Sequence, residues 1–336
     1  MLLLVAGTIS GCYYTQAARG QLEVLRKREP IEEVLADPDT PEDVATRLKL
    51  VQDARRYSVE TLGLPDNDSY QTYADLERDY VVWSVFAAPE FSLDPKRWCY
   101  PIVGCVSYRG YFKKDAAGRE AQKLRDAGFD VFVGGVAAYS TLGKFNDPVL
   151  NTMMRWDDVQ LVGVLFHELA HQLLYIKDDT GFNESFATAV EETGVERFLA
   201  DREMQDAFGA YSQRKDFRRS VMTLINATRH DLQTYYAETL DPDEKRLLKE
   251  YRIEQLTEEL RRALEQSGRE PDDWLWAPFN NARLVSFSLY DGLLPAFRQM
   301  LADCADELQC FYAEARRVSQ MDKMARDNHL LALTTR

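Results

Sequence analysis

From Val162 to Tyr175 the chain reads VGVLFHELAHQLLY, apolar except at His167, Glu168, His171 and Gln172. Such a run is long enough for about four helical turns. Residues i and i+4 share a helix face, so His167 and His171 can point two imidazoles at one ion while Glu168 flanks it. The whole chain holds four histidines, and two of them fall in this pattern. Burying two imidazoles and a carboxylate without partners is costly, and a zinc ion satisfies all three. A chance HExxH in an ordinary core helix would leave those groups unexplained. The chain is therefore expected to fold around a zinc-binding helix.

Catalytic zinc commonly takes three protein ligands and leaves a position open. Downstream, Asp178-Asp179-Thr180-Gly181 breaks the helix and Phe182 to Glu191 starts another. Helices joined by so tight a turn return antiparallel, which brings Glu184, expected on the first turn, back toward the histidines. Glu184 is the expected third ligand, with Glu191, Glu192 and Asp179 as alternatives. Glu191, two turns along the same face, also suits the role of orienting a ligating imidazole. No cysteine lies between 167 and 191, which speaks against a closed structural zinc site and for catalysis. In that chemistry Glu168 is the general base, and an oxyanion needs a further donor. Arg283 and Tyr290, seven apart, share a helical face and are expected there. His230 is a weaker candidate, and His230 and His329 read best as surface histidines.

Around this centre the patterning predicts an α+β fold, a small sheet in the N-terminal half packed on a predominantly helical C-terminal half. Residues 12–156 read as helices plus sheet, and 157–336 as the zinc helix and helical half, together forming one unit. Strands are expected at Tyr80–Ala87, Ile102–Tyr108 and Val131–Ala138, with a crossover helix at Ala116–Ala127. The strand from Val131, with Gly134-Gly135, is expected to be an edge along which an extended substrate lies. A plain core strand with a glycine bulge is the alternative.

Acidic residues outnumber basic ones, 55 to 41, for a net charge of −14. Such a balance repels phosphate backbones, so nucleic acid is not an expected partner. Met1 to Gly11 is an uncharged run ending in Ile9-Ser10-Gly11-Cys12, the pattern of a lipoprotein signal peptide with Cys12 as the lipidated residue. It departs from the usual pattern in having no Lys or Arg ahead of the apolar run. Tyr13 follows, not the Asp that retains such proteins in the inner membrane, so the expected location is the periplasmic face of a bacterial outer membrane. Four cysteines remain, Cys99 near Cys105 and Cys304 near Cys310. An exported chain can keep them as two short-loop disulfides, although four cysteines allow three pairings, and reduced thiols are the alternative.

The runs WCYPIVGCVSYRGYF (98–112), AYSTLGKFNDP (138–148), HELAH with FNESFAT (182–188), and NNARL (280–284) resemble the bacterial lipoproteins described as predicted zinc aminopeptidases. The resemblance covers nearly the whole mature chain. It implies a zincin-like fold and a gluzincin-like peptidase in which His167, His171 and Glu184 bind Zn2+ and Glu168 is the base. The function it implies is zinc-dependent hydrolysis of peptide substrates from a free amino end. The alternatives are a zinc endopeptidase and a non-catalytic, zinc-braced lipoprotein with a binding role. Glu90, Asp147, Glu191 and Glu192 are the carboxylates near enough in sequence to meet a substrate ammonium.

Overall fold

The computed structural model describes residues 8–100, 104–138, 140–269, 277–291 and 293–334; the side chains of 8–12 and 288–291 fall outside that description. The chain opens with α1 (Thr8–Arg26), β1 (Arg28–Pro30), α2 (Ile31–Ala36) and α3 (Glu42–Glu60). Pro41 precedes α3 with Glu42 and Asp43 in its first turn, where carboxylates complement the helix dipole. A small sheet joins β1 to β2 (Thr72–Ala74) antiparallel and β2 to β8 (Val149–Leu150) parallel.

In the main sheet β3 (Val82–Pro89) is central, antiparallel to β6 (Arg109–Tyr111) on one side and to β7 (Phe129–Val136) on the other. The two outer strands thus run parallel, which requires a crossover. That crossover is α4 (Lys114–Asp126), which buries Ala117, Ala121 and Leu124. The strand expected at Ile102–Tyr108 takes a different form. Residues 101–103 lie outside the described residues, and β4 (Trp98–Tyr100) pairs with β5 (Gly104–Val106) in a hairpin with Cys99 opposite Cys105. A disulfide joins the two. The hairpin uses its ladder bonds internally, so the chain breaks at Ser107-Tyr108 before pairing with β3.

Beyond β8 the fold is helical: α5 (Asp158–Leu173), α6 (Thr180–Asp201), α7 (Gln205–Ala237), α8 (Pro242–Ser267), α9 (Asn281–Asp291), α10 (Leu294–Asp303), α11 (Leu308–Ser319) and α12 (Lys323–Thr334). The largest apolar cluster surrounds Phe166, Phe182, Phe186, Phe297 and Phe311. Residues of α7 and α8 form a second cluster with Phe279, Leu284 and Val285. The Cys304–Cys310 disulfide ties the end of α10 to α11, so both cysteine pairs follow proximity in sequence.

The start of α9 joins the halves, and here the NNARL run acquires a structural meaning. The Asn281 amide donates to the carbonyls of Pro89 (3.0 Å), Glu90 (2.9 Å) and Ser92 (3.2 Å), and its backbone N–H to Asp130 (2.8 Å). Asn280 donates to the Val131 carbonyl at 3.1 Å. These bonds satisfy backbone acceptors at the end of the β3–β7 pair that no strand covers.

Candidate metal centre

Asp157 starts α5 through a capping box: its carboxylate accepts from the Gln160 N–H (2.8 Å), and the Gln160 side chain accepts from the Asp157 N–H (3.3 Å). Leu161, Leu165, Phe166 and Leu169 are fully buried. Burying that stripe fixes the roll of the helix and turns His167 and His171 toward α6. The chain leaves α5 at Leu174 in extended backbone, and Asp178 takes a left-handed φ of 64°. Asp179 caps α6 by accepting from the Phe182 N–H at 3.2 Å. The helix therefore starts at Thr180, and Glu184 stands just past the first turn, not on it as the sequence suggested.

The two helices run antiparallel and close together. A Cβ on Gly163 would meet the Glu191 carboxylate at 3.1 Å, and one on Gly194 would meet the Phe166 ring at 2.8 Å. The two glycines leave room for that approach, which sets Glu184 and Glu191 against His167.

Nε2 of His167 and Nε2 of His171 are 3.1 Å apart; Glu184 places Oε2 3.3 Å from the first and Oε1 3.7 Å from the second. Donors about 2.0–2.1 Å from a tetrahedral zinc stand roughly 3.3 Å from one another. The spacing and the donor set, two imidazoles and a carboxylate, fit such an ion. His167, His171 and Glu184 could hold a metal, their donor atoms all lying within 4.8 Å of one another. On the outer side Nδ1 of His167 lies 3.0 Å from a Glu191 oxygen.

The electrostatics are those of a tightly coupled cluster. Burial disfavours a charged His167, but the Glu184 and Glu191 carboxylates outweigh it and raise the ring to about 10. Burial likewise works against ionised Glu184, and its hydrogen bonds to the two histidines bring it down to about 2. Glu191 is lowered too, against burial, by its bond to His167. Glu168, flanking the cluster, is shifted upward by burial, with His171 and His167 pulling the other way.

The alternative third ligands are engaged elsewhere. Asp179 forms a buried ion pair with Arg326 (3.0 and 2.6 Å). Glu192 holds Arg298 through both oxygens (2.9 and 2.6 Å).

A family model described as "Putative aminopeptidase" matches residues 12–330. The chain belongs to that family. No curated protein and no solved structure matches it.

In this aminopeptidase-family chain the residues expected to assist the metal cluster are spread more widely. Arg283 is 1% exposed, with its guanidinium 3.8 Å from the Phe279 ring centre and 5.7 Å from that of Phe132. Burial lowers it to about 10. The side chains of Tyr290 and Cys12 lie outside the described residues. β7 is an edge strand, as expected, and its register with β3 runs without a bulge. Gly135 is explained by packing: a Cβ there would lie 2.5 Å from the Tyr80 ring.

Three tyrosines near the cluster escaped the sequence reading. Tyr108 has its phenol raised by burial and further by Glu184, Tyr175 and Glu168. Tyr175 sits edge-on to His171, with ring centres 6.4 Å apart. Tyr70 is 2% exposed, and burial, Glu168 and Asp147 raise it well above an ordinary phenol, with the Ser140 side chain pulling the other way. Tyr108 lies inside the cysteine-bracketed run that carries the family resemblance, the one signal available for it. Tyr70 lies in a polar loop with no signal at all.

Proposed function

We propose that the chain is a zinc-dependent peptidase of zincin-like architecture, with His167, His171 and Glu184 as metal ligands. The observation that carries this is the set of three donors at 3.1, 3.3 and 3.7 Å, with Glu168 one residue from the first ligand. When bound, zinc supplies Lewis acidity that polarises a carbonyl and acidifies water. Glu168 accepts the proton of the attacking water and returns it to the leaving amine. Glu191 holds the His167 ring in the tautomer that leaves Nε2 available. Tyr108, whose phenol feels Glu184 and Glu168, is assigned as the donor to an oxyanion, a role that helical spacing suggested for Arg283 and Tyr290.

The family's name supports attack at a free amino end. An endopeptidase is the second reading, and one observation favours it: the carboxylates expected to meet an ammonium are occupied. Asp147 accepts from Ser140 and Thr141, Glu90 from Arg246, Glu192 from Arg298, and Glu191 faces His167.

The setting proposed is the periplasmic face of the outer membrane, anchored through lipid on Cys12. What motivates that anchor is the apolar run ending in Ile9-Ser10-Gly11-Cys12; no helix among the described residues is long and apolar enough to cross a membrane. The deciding experiment for the chemistry measures zinc content and peptide hydrolysis of Glu168→Gln. Full zinc with hydrolysis lost supports catalysis; full hydrolysis refutes the assigned base.

A further inference from the structure

One part of this acidic chain is strongly basic. Between Lys96 and Asp126, the end of α4, stand eight Lys and Arg against Asp115, Glu120 and Asp126, a net +5 in a chain of net −14, so the remainder carries −19. Arg97, Lys113, Lys114, Arg119, Lys123 and Arg125 are exposed. The segment's ion pair among the described residues joins Arg109 to Glu120 and involves none of those six. With acids in such surplus, solubility gives no reason to gather unpaired cations here.

These residues belong to one structural unit, the β4–β5 hairpin, β6 and α4, closed by a shared cluster that includes Trp98, Tyr111, Ala121 and Leu124. The amino-terminal helix docks on that unit. The Tyr13 ring stacks on Tyr100 at 5.5 Å, meets Tyr111 edge-on at 5.6 Å and lies 4.1 Å from the Arg109 guanidinium. Gln16 donates to the Gly110 carbonyl (3.3 Å) and accepts from the Phe112 N–H (3.2 Å). Cys12 precedes Tyr13 within α1, so the helix carries its backbone beside the basic unit.

We propose that this unit is the face the protein lays on an anionic phospholipid bilayer, with the anchor entering beside it; the choice of partner rests on the lipid-anchor reading. Lys and Arg near an anionic headgroup layer each add attraction within about a Debye length, while the acidic remainder is repelled, so the asymmetry orients the molecule as well as holding it. Orientation bears on substrate. The Cys105 N–H donates to Asp178 at 2.9 Å, in the link between the two metal-site helices, and Tyr175 in the same link is 47% exposed. The metal site is thereby tied to the membrane-facing unit, and its substrates are peptide segments lying close to the bilayer surface.

The test uses the full chain carrying Cys12→Ser, which cannot be acylated, sedimented with vesicles of phosphatidylcholine alone or with added phosphatidylglycerol, at low and high salt. Retention is expected on the anionic vesicles at low salt only. Reversing Arg97, Lys113, Arg119 and Lys123 to Glu should weaken it about tenfold or more, while reversing the exposed Lys49 and Lys144 should leave it unchanged. No retention, equal retention on both lipids, undiminished binding by the fourfold variant, or binding to DNA in place of vesicles overturns the proposal. Hydrolysis of a soluble peptide should be the same for both parent and fourfold variant, which shows the fold intact. Failure of the peptidase reading appears separately, as no hydrolysis with vesicle binding intact, and failure of the anchor reading as native Cys12 without acyl mass.

Discussion

Glu191 sets a carboxylate oxygen 3.0 Å from Nδ1 of His167, while Nε2 of the same ring points at Glu184 and His171. One imidazole is thus gripped on its outer nitrogen and free to coordinate on its inner one. Replacing such a partner typically costs 10–100-fold in metal affinity. Glu191→Gln should therefore bind zinc about 10–100-fold more weakly in a competition titration against a chelator, with unchanged secondary structure. Unaltered affinity would show that packing alone orients the ring.

That His167, His171 and Glu184 come together was legible because the i, i+4 histidines report a helix face directly and the helix break dictates an antiparallel return. The boundary error at Glu184 came from one side chain, Asp179, whose capping bond advances the start of α6. The strand expected at Ile102–Tyr108 was misjudged because hydrophobicity along 102–108 does not reveal that Cys99 pairs with Cys105 and folds the chain back. Arg283 was placed by helical periodicity, which says which face a residue shares but not what that face meets; among its contacts are the Phe279 and Phe132 rings. Tyr70 and Tyr108 reach the cluster from loops, where no periodicity exists to read.

Asp179 and Arg326 are both 6% exposed and tie the start of α6 to α12. Removing one member of a buried ion pair leaves an uncompensated charge and costs about 3–5 kcal/mol. Arg326→Met should lower the unfolding free energy by that amount in a denaturant titration. Adding Asp179→Asn, which keeps an oxygen for the cap at Phe182, should recover part of the loss. A double variant no more stable than the single would show that the charge pair is not what Arg326 contributes.

Tyr70 carries a buried hydroxyl that faces the Ser140 side chain but makes no well-formed hydrogen bond among the described residues. A buried donor left unsatisfied costs about 1–3 kcal/mol, so Tyr70→Phe should hold or raise stability, unlike most substitutions at a fully buried tyrosine. Thermal melts with and without zinc check this. A clear drop in both would mean that the hydroxyl is satisfied in solution.

Tyr108 stands under the electrostatic influence of Glu184 and Glu168 and follows directly on the disulfide-closed hairpin. An oxyanion donor acts in the transition state far more than in the ground state, and losing one costs about 10²–10³ in kcat. Tyr108→Phe should reduce kcat on that scale, with KM and zinc content nearly unchanged. A loss confined to KM would make Tyr108 part of the substrate-binding wall.

The choice between amino-terminal trimming and internal cleavage depends on how a substrate ammonium is met. An exopeptidase must pair that charge with a carboxylate near the metal, because an unpaired ammonium in a closed site is costly. Asp147 is 2% exposed and already accepts from Ser140 and Thr141, so it organises its own loop and has little left to offer. Glu192 is held by Arg298, Glu90 by Arg246, and Glu191 faces the outer nitrogen of His167. Glu184 and Glu168 remain, and they are assigned to the metal and the proton. If the family's name describes this chain, N-acetylation of a good peptide should cost several kcal/mol of transition-state binding, a loss in kcat/KM of about a hundredfold or more. We expect that loss, with the ammonium met by a group other than the four carboxylates already engaged. Equal rates on free and acetylated peptides would instead establish an open cleft and an endopeptidase, with the same ligands and the same base.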